Sequence, residues 1–227
     1  MTCPVKKGAQ TVPLSGGTLL QTDSLEASIN SSYPTAHGWA VHANNTSGAA
    51  SQFSVYAVCA RKPKGYVQMV SPATSNPAGF ESQTGTTCPK GDIVTGGGAR
   101  SSSSSTMVQL NGLWPTNVNQ WELSIINFSS TSASVTSSAV CATINASFPT
   151  YEYLSGAEDG APAGQETATE AVCPSGLSVL GGGTQSHSPA TTVSINSTFP
   201  FTGGWISDMS NTGSNGATVT TFILCAT

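Results

Sequence analysis

Basic residues are scarce in this chain, and none occurs in its second half. Charged residues make up only 8% of the sequence, and all seven Lys and Arg residues lie at or before Arg100. Residues 1–100 therefore carry a net charge of +3, from seven bases and four acids, whereas residues 101–227 carry −7 from seven acids. A nucleic-acid partner requires a concentrated basic face. This composition excludes nucleic-acid binding and suits a secreted β protein.

Signals for helices and for membrane spans are also missing. No long segment places apolar residues at the spacing of an amphipathic helix, and no apolar run is long enough to cross a bilayer. Met1 is not followed by a basic and apolar leader, so we expect that a signal peptide has already been removed. Apolar, β-branched and aromatic residues concentrate instead in short segments, at 52–58, 132–136 and 217–224. The sequence predicts an all-β protein without membrane insertion.

The patterns of cofactor-dependent and hydrolytic enzymes are absent as well. No Cys-x-x-Cys pair or histidine cluster supplies zinc ligands, and no Gly-x-Ser-x-Gly segment presents a nucleophile. The glycine runs lack the Lys of a phosphate-binding loop, so we expect them to mark positive φ angles or close strand contacts. His37, His42 and His187 do not recur between repeats. We predict no metal, no cofactor and no enzymatic activity, and a hydrolase with a site outside the repeat pattern is the least favoured alternative.

Six cysteines define a threefold internal repeat, whose copies span residues 1–62, 63–147 and 148–227 and are expected to form one compact domain. The first cysteines lie 85 residues apart, at Cys3, Cys88 and Cys173, and the second cysteines are Cys59, Cys141 and Cys225. Within this register a tryptophan lies six residues before an asparagine, at Trp39 and Asn45, Trp121 and Asn127, and Trp205 and Asn211. A leading segment precedes Cys88 and Cys173 but has no counterpart before Cys3.

The cysteine pattern predicts disulfides and an oxidising compartment. A threefold repeat favours bridges within each repeat, namely Cys3–Cys59, Cys88–Cys141 and Cys173–Cys225, and a cyclic scheme linking neighbouring repeats is the alternative. Closing a loop of this length removes roughly 4 kcal/mol of unfolded-chain entropy. We therefore expect a secreted or extracellular surface protein.

Two all-β architectures satisfy the repeat. In the first, three disulfide-stapled repeats form a pseudo-threefold β-prism with one shared core. In the second, three small β domains lie in a row. The segment between the cysteines of each repeat offers too little apolar surface for a comfortable core of its own, which favours the prism. A monomeric pseudo-trimer is the preferred oligomeric state.

Aromatic residues and asparagines recur at positions that suggest either structure or binding. The identical tryptophans Trp39, Trp121 and Trp205 are expected to be structural anchors. An Asn-x-x-aromatic-Pro element also recurs, and its variable aromatic could stack on a sugar ring or pack over a sheet edge. Its asparagine could bind a ligand hydroxyl or its own turn. The candidate binding residues are Tyr33, Trp114, Phe199, Asn30, Asn111 and Asn196.

Repeat two carries a fuller set of motifs that points to a known type of module. Cys88-Pro89-Lys90-Gly91, the glycines at 96–98, Trp121 and Cys141-Ala142 resemble a β-rich module of secreted bacterial proteins that often follows collagen-like repeats. The resemblance covers all three repeats. It implies secretion, a β fold and a surface role, and it supplies no catalytic residues.

Binding or adhesion is the function that these features favour. We expect a secreted, non-enzymatic protein, lectin-like and multivalent, whose partner is a carbohydrate or a cell-surface component. The alternative is a structural or assembly protein of a cell surface, appendage or virion. A lectin-like site predicts that Tyr33, Trp114 and Phe199 are exposed, whereas an assembly role predicts that they are buried.

Overall fold

The chain folds into β-strands joined by turns. A computed structural model describes residues 1–6, 8–143, 148–188 and 192–227, and this part of the chain contains no helix. The strands of repeat one are β1 (Val5–Lys6), β2 (Ala9–Leu20), β3 (Ala27–Thr35), β4 (Gly38–Asn45) and β5 (Phe53–Arg61). Those of repeat two are β6 (Val67–Val70), β7 (Thr74–Asn76), β8 (Glu81–Thr87), β9 (Asp92–Ser101), β10 (Val108–Asn117), β11 (Gln120–Asn127) and β12 (Ala133–Thr143). Those of repeat three are β13 (Tyr151–Ala161), β14 (Gln165–Val172), β15 (Ser178–Ser186), β16 (Val193–Phe201), β17 (Gly204–Asn211) and β18 (Ala217–Ala226).

Three six-stranded sheets form, and each combines strands of two repeats. The sheet of repeats one and three has the order β5, β2, β16, β17 and β14, with β1 also beside β2. The sheet of repeats three and two has the order β13, β18, β15, β10, β11 and β8. The sheet of repeats two and one has the order β6, β12, β9, β3 and β4, with β7 also beside β12. The repeats are thus interleaved in a closed cycle.

The interleaving confirms the all-β prediction with three disulfide-stapled parts and decides against its alternative. Three self-contained β domains in a row would pair strands within each repeat, whereas here every sheet crosses a repeat boundary. The alternative is therefore wrong, because backbone pairing is satisfied between repeats. The prism geometry itself stays a prediction. The disulfides follow the within-repeat scheme and join Cys3 to Cys59, Cys88 to Cys141 and Cys173 to Cys225.

The junction between two repeats lies where the glycine strand of one repeat meets the strand that carries the Asn-x-x-aromatic-Pro element of the preceding repeat, with repeat three preceding repeat one. The antiparallel partners there are Thr18 with Thr198, Ala99 with Ser32, and Thr184 with Leu113. The preceding glycines are Gly17, Gly98 and Gly183, and a Cβ atom at any of them would overlap the facing backbone carbonyl. These glycines have ordinary negative φ angles, so close strand contact explains them.

A second glycine at each junction makes room for the repeated tryptophan. A Cβ atom at Gly16, Gly97 or Gly182 would overlap the indole ring of Trp39, Trp121 or Trp205 respectively. Each indole is at most 1% exposed, and in each case it belongs to the same repeat as its glycine while lying in a different sheet. The tryptophans therefore pack one sheet against the next.

The asparagines of the Asn-x-x-aromatic-Pro elements link all three repeats in a ring. Each side-chain amide donates to the backbone carbonyl three residues before the corresponding asparagine of the next repeat. The bonds run from Asn30 to Val108 at 3.1 Å, from Asn111 to Val193 at 2.8 Å and from Asn196 to Ala27 at 3.4 Å. All three side chains are at most 3% exposed. Buried amides that satisfy buried carbonyls stabilise the cycle and specify its order.

Removing one amide of this ring should destabilise the whole protein. The Asn30 amide also donates to the carbonyls of Ser103 and Ser105, and its Oδ1 accepts from the buried Ser31 hydroxyl, so Asn30→Ala removes several hydrogen bonds and leaves that hydroxyl without its acceptor. We expect a loss of about 2 kcal/mol in the free energy of unfolding, measured by denaturant unfolding with the disulfides intact. The exposed Asn215→Ala serves as the control and should cost little. Equal losses in the two variants would contradict the role assigned to the ring.

Candidate functional site

The aromatic residues of the Asn-x-x-aromatic-Pro elements differ in their surroundings. Trp114 is buried at 4% exposure, because Gly112 leaves space beside its indole ring where the other repeats have Ser31 and Ser197. Tyr33 and Phe199 are half-buried. None of the three is exposed, so the threefold exposed aromatic set expected for a lectin-like site is not present. Among the three, only Trp114 shows the burial that the assembly hypothesis expects.

Two of these aromatic rings contact side chains outside their own element. Phe199 stacks on Tyr56 with ring centroids 5.3 Å apart and an angle of 23° between the ring planes. The guanidinium carbon of Arg100 lies 5.3 Å from the centroid of the Tyr33 ring, and the His42 ring meets Tyr33 edge-on at 5.9 Å. Tyr33 therefore orients a cation and an imidazole on the surface.

Arg100 and His42 line an open groove of about 380 Å³, here called the Arg100 groove. It crosses the junction where β4 of repeat one and β9 of repeat two share a sheet. Its other walls are hydroxyl-bearing residues, namely Ser101, Ser102, Ser103, Ser104, Ser134 and Thr136. The groove thus combines a fixed guanidinium with a row of hydroxyl groups that donate and accept hydrogen bonds.

A second groove of about 540 Å³, here called the His187 groove, occupies the equivalent junction of repeats two and three. Ser124 is the counterpart of His42, because each stands three residues after the repeated tryptophan. Gln185 is the counterpart of Arg100, because each stands two residues after the last glycine of its repeat. The remaining walls are Glu81, Ser82, Gln83, Ser186, His187 and Ser188. The imidazole Nε2 of His187 lies 2.9 Å from the Thr220 hydroxyl. The fold therefore forms a groove at both junctions, and the side chains that line the two grooves differ.

The third equivalent position is acidic. Asp208 stands three residues after Trp205 and is therefore the counterpart of His42 and Ser124. Glu166 is the counterpart of Glu81, because Glu166 pairs with Ser210 at the register where Glu81 pairs with Ile126. Burial, together with the nearby carboxylates of Asp208 and Asp23, raises the pKa of Glu166 to about 7. Burial also raises the pKa of Asp208, while a hydrogen bond with Ser197 lowers it. The Glu166 Oε2 atom is buried and has no hydrogen-bond partner among the described residues.

The two histidines that line the grooves each contact a neighbouring uncharged side chain. His42 contacts the ring of Tyr33, and His187 contacts the hydroxyl of Thr220. Among the described residues, no group of three or more His, Cys, Asp and Glu side chains could hold a metal ion. The part of the chain that the structure describes also has no helix that could span a membrane.

Sequence reasoning missed most of the Arg100 groove. It treated Arg100 only as the last basic residue of the chain and did not use the serine run at 101–105. A usable signal was the position of Arg100 two residues after the last glycine, opposite the variable residue three positions after each repeated tryptophan. No protein-family model matches this chain, and no curated protein matches its sequence. Function is therefore inferred from the geometry of the grooves.

The raised pKa of Glu166 predicts a pH dependence of stability. The ordinary pKa of a glutamate in an unfolded chain is about 4.3, so folding favours the protonated form of Glu166. The contribution of this carboxyl to the free energy of unfolding is therefore fully present below that pH. It is lost as pH rises through the folded-state pKa of about 7. Glutamine does not ionise, so Glu166→Gln should remove about 1 kcal/mol of this decrease in the free energy of unfolding. The effect is small because solvent screens a half-buried carboxylate.

Denaturant unfolding between acidic and mildly alkaline pH measures this effect. The matched control is Glu170→Gln, which changes an exposed glutamate on the same strand and should leave the pH dependence as it is in the unmodified protein. An unchanged slope in the Glu166→Gln variant would show that burial of this carboxyl does not influence folding.

Proposed function

We propose that the protein is a secreted, non-enzymatic module that binds carbohydrate carrying carboxylate groups, and that the Arg100 groove is its site. The observation that carries this proposal is the arrangement of Arg100 against the Tyr33 ring beside His42, on the wall of a groove lined by serines. Secretion is supported by the three disulfides, which persist in oxidising compartments.

The groove has the chemistry that sugar recognition requires. Sugar hydroxyls need several donors and acceptors in fixed positions, which the hydroxyls of residues 101–104, 134 and 136 supply. A guanidinium binds a carboxylate through two parallel hydrogen bonds, and its contact with Tyr33 limits its freedom before binding. All seven basic residues lie within residues 1–100, which also favours an anionic ligand near this part of the chain.

The three equivalent positions should not bind the same ligand. Arg100 has Gln185 as its counterpart in the His187 groove, and the third position presents Glu166 and Asp208. Carboxylates at that third position repel an anionic sugar. We therefore propose one anionic-sugar groove per chain rather than three equal sites, and multivalency would then come from several chains on one surface.

Binding assays with matched charge variants test this proposal. Arg100→Gln removes the guanidinium from the groove, and we expect the affinity for a soluble polyuronate to fall at least tenfold, which corresponds to about 1.4 kcal/mol. Lys90→Gln removes one positive charge at an exposed lysine outside the groove and should alter the affinity less than twofold. Calorimetry at physiological salt gives the affinities, and thermal unfolding checks that both variants fold.

Two results would contradict the proposed function. Equal weakening by the two charge variants would indicate non-specific attraction between charges, which also disappears at high salt. Failure of the unmodified protein to bind either the polyuronate or a panel of neutral polysaccharides would leave the second candidate, a structural role in assembly. That candidate is favoured by the burial of Trp114 and by the open strand edges described next.

A further inference from the structure

The leading segments of repeats two and three each cover a corner between two sheets. In repeat two, β6 and β7 pair with β12 in one sheet, and β8 pairs with β11 in the next. In repeat three, β13 pairs with β18, and β14 pairs with β17. Each leading segment thus completes the outer edges of two sheets.

The same corner of repeat one is open. The equivalent strands β5 and β4 pair only with β2 and β3 among the described strands. Residues 1–3 cover only the beginning of β4, where Met1 and Trp39 exchange backbone hydrogen bonds of 2.9 Å and the Cys3 amide donates to His37. From Ala40 to Asn45 the outer edge of β4 has no strand partner within the described part of the chain.

Exposure of apolar residues on β5 shows the effect of the missing cover. Ala57, Val58 and Cys59 are only half-buried. Their counterparts in the other repeats have no exposed surface, and these are Ala139, Val140, Cys141, Ile223, Leu224 and Cys225. Phe53 is 48% exposed, whereas its counterparts Val135 and Val219 are fully buried. Repeat one therefore leaves apolar surface in water that the fold elsewhere protects.

Polar groups on β4 show the same deficit. The Asn127 amide donates to Thr131 and also to Asn76 of the leading segment, and Asn211 does the same with Asn215 and Ala161. The corresponding Asn45 is exposed, and its amide donates to Ala49 at 2.8 Å. The bond to a leading segment has no counterpart at Asn45 among the described residues.

A crevice of about 120 Å³ opens at this corner, between β4 and β5. Its walls include Ala43 and Asn45, which correspond to Ile125 and Asn127 in repeat two. In repeat two the fully buried Asn76 occupies the equivalent place. Its side-chain amide donates to the Ile125 carbonyl at 3.2 Å, and its backbone carbonyl accepts from the Asn127 amide. The crevice is therefore the place that a leading-segment residue fills in the other repeats.

We propose that the exposed edges of β4 and β5, here called the repeat-one corner, form a docking site for an extended acidic segment of another polypeptide. The segment would add one strand to each of two sheets, as the leading segments do, through backbone hydrogen bonds and one side chain in the crevice. A second copy of this chain does not offer such a segment, since its own leading segments are already held in sheets.

The chemistry of the corner supports this partner. Edge strands that must stay free usually carry charges or prolines, yet residues 53–60 of β5 contain neither. Arg61 and Lys62 follow at the end of the strand, and both are exposed. An acidic segment such as residues 151–172, which contains five carboxylates, complements this charge better than the nearly neutral residues 67–87.

A synthetic peptide with the sequence of residues 150–172 tests the docking site on the intact, oxidised protein. We expect one peptide to bind per chain and to protect amides of residues 40–45 and 53–60 from hydrogen exchange. A scrambled peptide of the same composition should not bind. Ala43→Glu places a like charge at the crevice and should weaken binding at least tenfold, whereas Ala73→Glu makes the same change at an exposed alanine in repeat two and should alter it less than twofold.

The remaining outcomes overturn the proposal. Absence of peptide binding by a well-folded monomer would show that the corner does not accept such a segment. Equal weakening by the two glutamate variants, or equal binding of the scrambled peptide, would show that the peptide binds only through non-specific attraction between charges. A protein that sediments as a dimer and becomes monomeric with Ala43→Glu would assign the corner to a second copy instead.

Discussion

The structure depends on the close approach of two backbones at each junction between repeats. A glycine strand of one repeat lies against a strand of another, and Gly17, Gly98 and Gly183 leave no side chain where a carbonyl must fit. This contact lets a sheet continue across a repeat boundary. Once three such junctions close in a cycle, each repeat depends on both of the others, and none has a complete sheet by itself.

The strictly repeated residues serve this closed cycle, and the variable residues form the surface chemistry. The tryptophans fill the space over the middle glycines, and the asparagine ring connects the repeats through the interior. By contrast, the position three residues after each tryptophan carries His42, Ser124 or Asp208 in the three repeats. Three copies of one scaffold therefore present grooves of different charge. The corner of repeat one adds a fourth surface feature, because the outer edges of β4 and β5 have no strand partner within the described part of the chain beyond Trp39.

The prediction of a threefold aromatic site shows why equivalent positions need not share an environment. Trp114 is buried because glycine at 112 admits its indole ring, and Tyr33 remains half-buried where serine occupies the same place. The same variation leaves the Trp121 indole nitrogen without a hydrogen-bond partner among the described residues. Trp39 and Trp205 donate to hydroxyls of Ser32 and Thr198, but repeat two has Leu113 at that point. Such differences arise from single neighbours that repeat spacing does not reveal.

The sequence by itself determined the all-β class and the three repeats, and it favoured disulfides within each repeat. These features follow from the local pattern of apolar residues and from the spacing of the cysteines, both of which can be read directly along the chain. Only the tertiary structure decided which repeats share a sheet, that the asparagines face the interior, and that Arg100 meets Tyr33 and His42 from a neighbouring repeat. The physical reason is that strands choose partners through backbone hydrogen bonds and shared burial, which are common to every repeat and so leave no distinguishing mark in the sequence of any one of them.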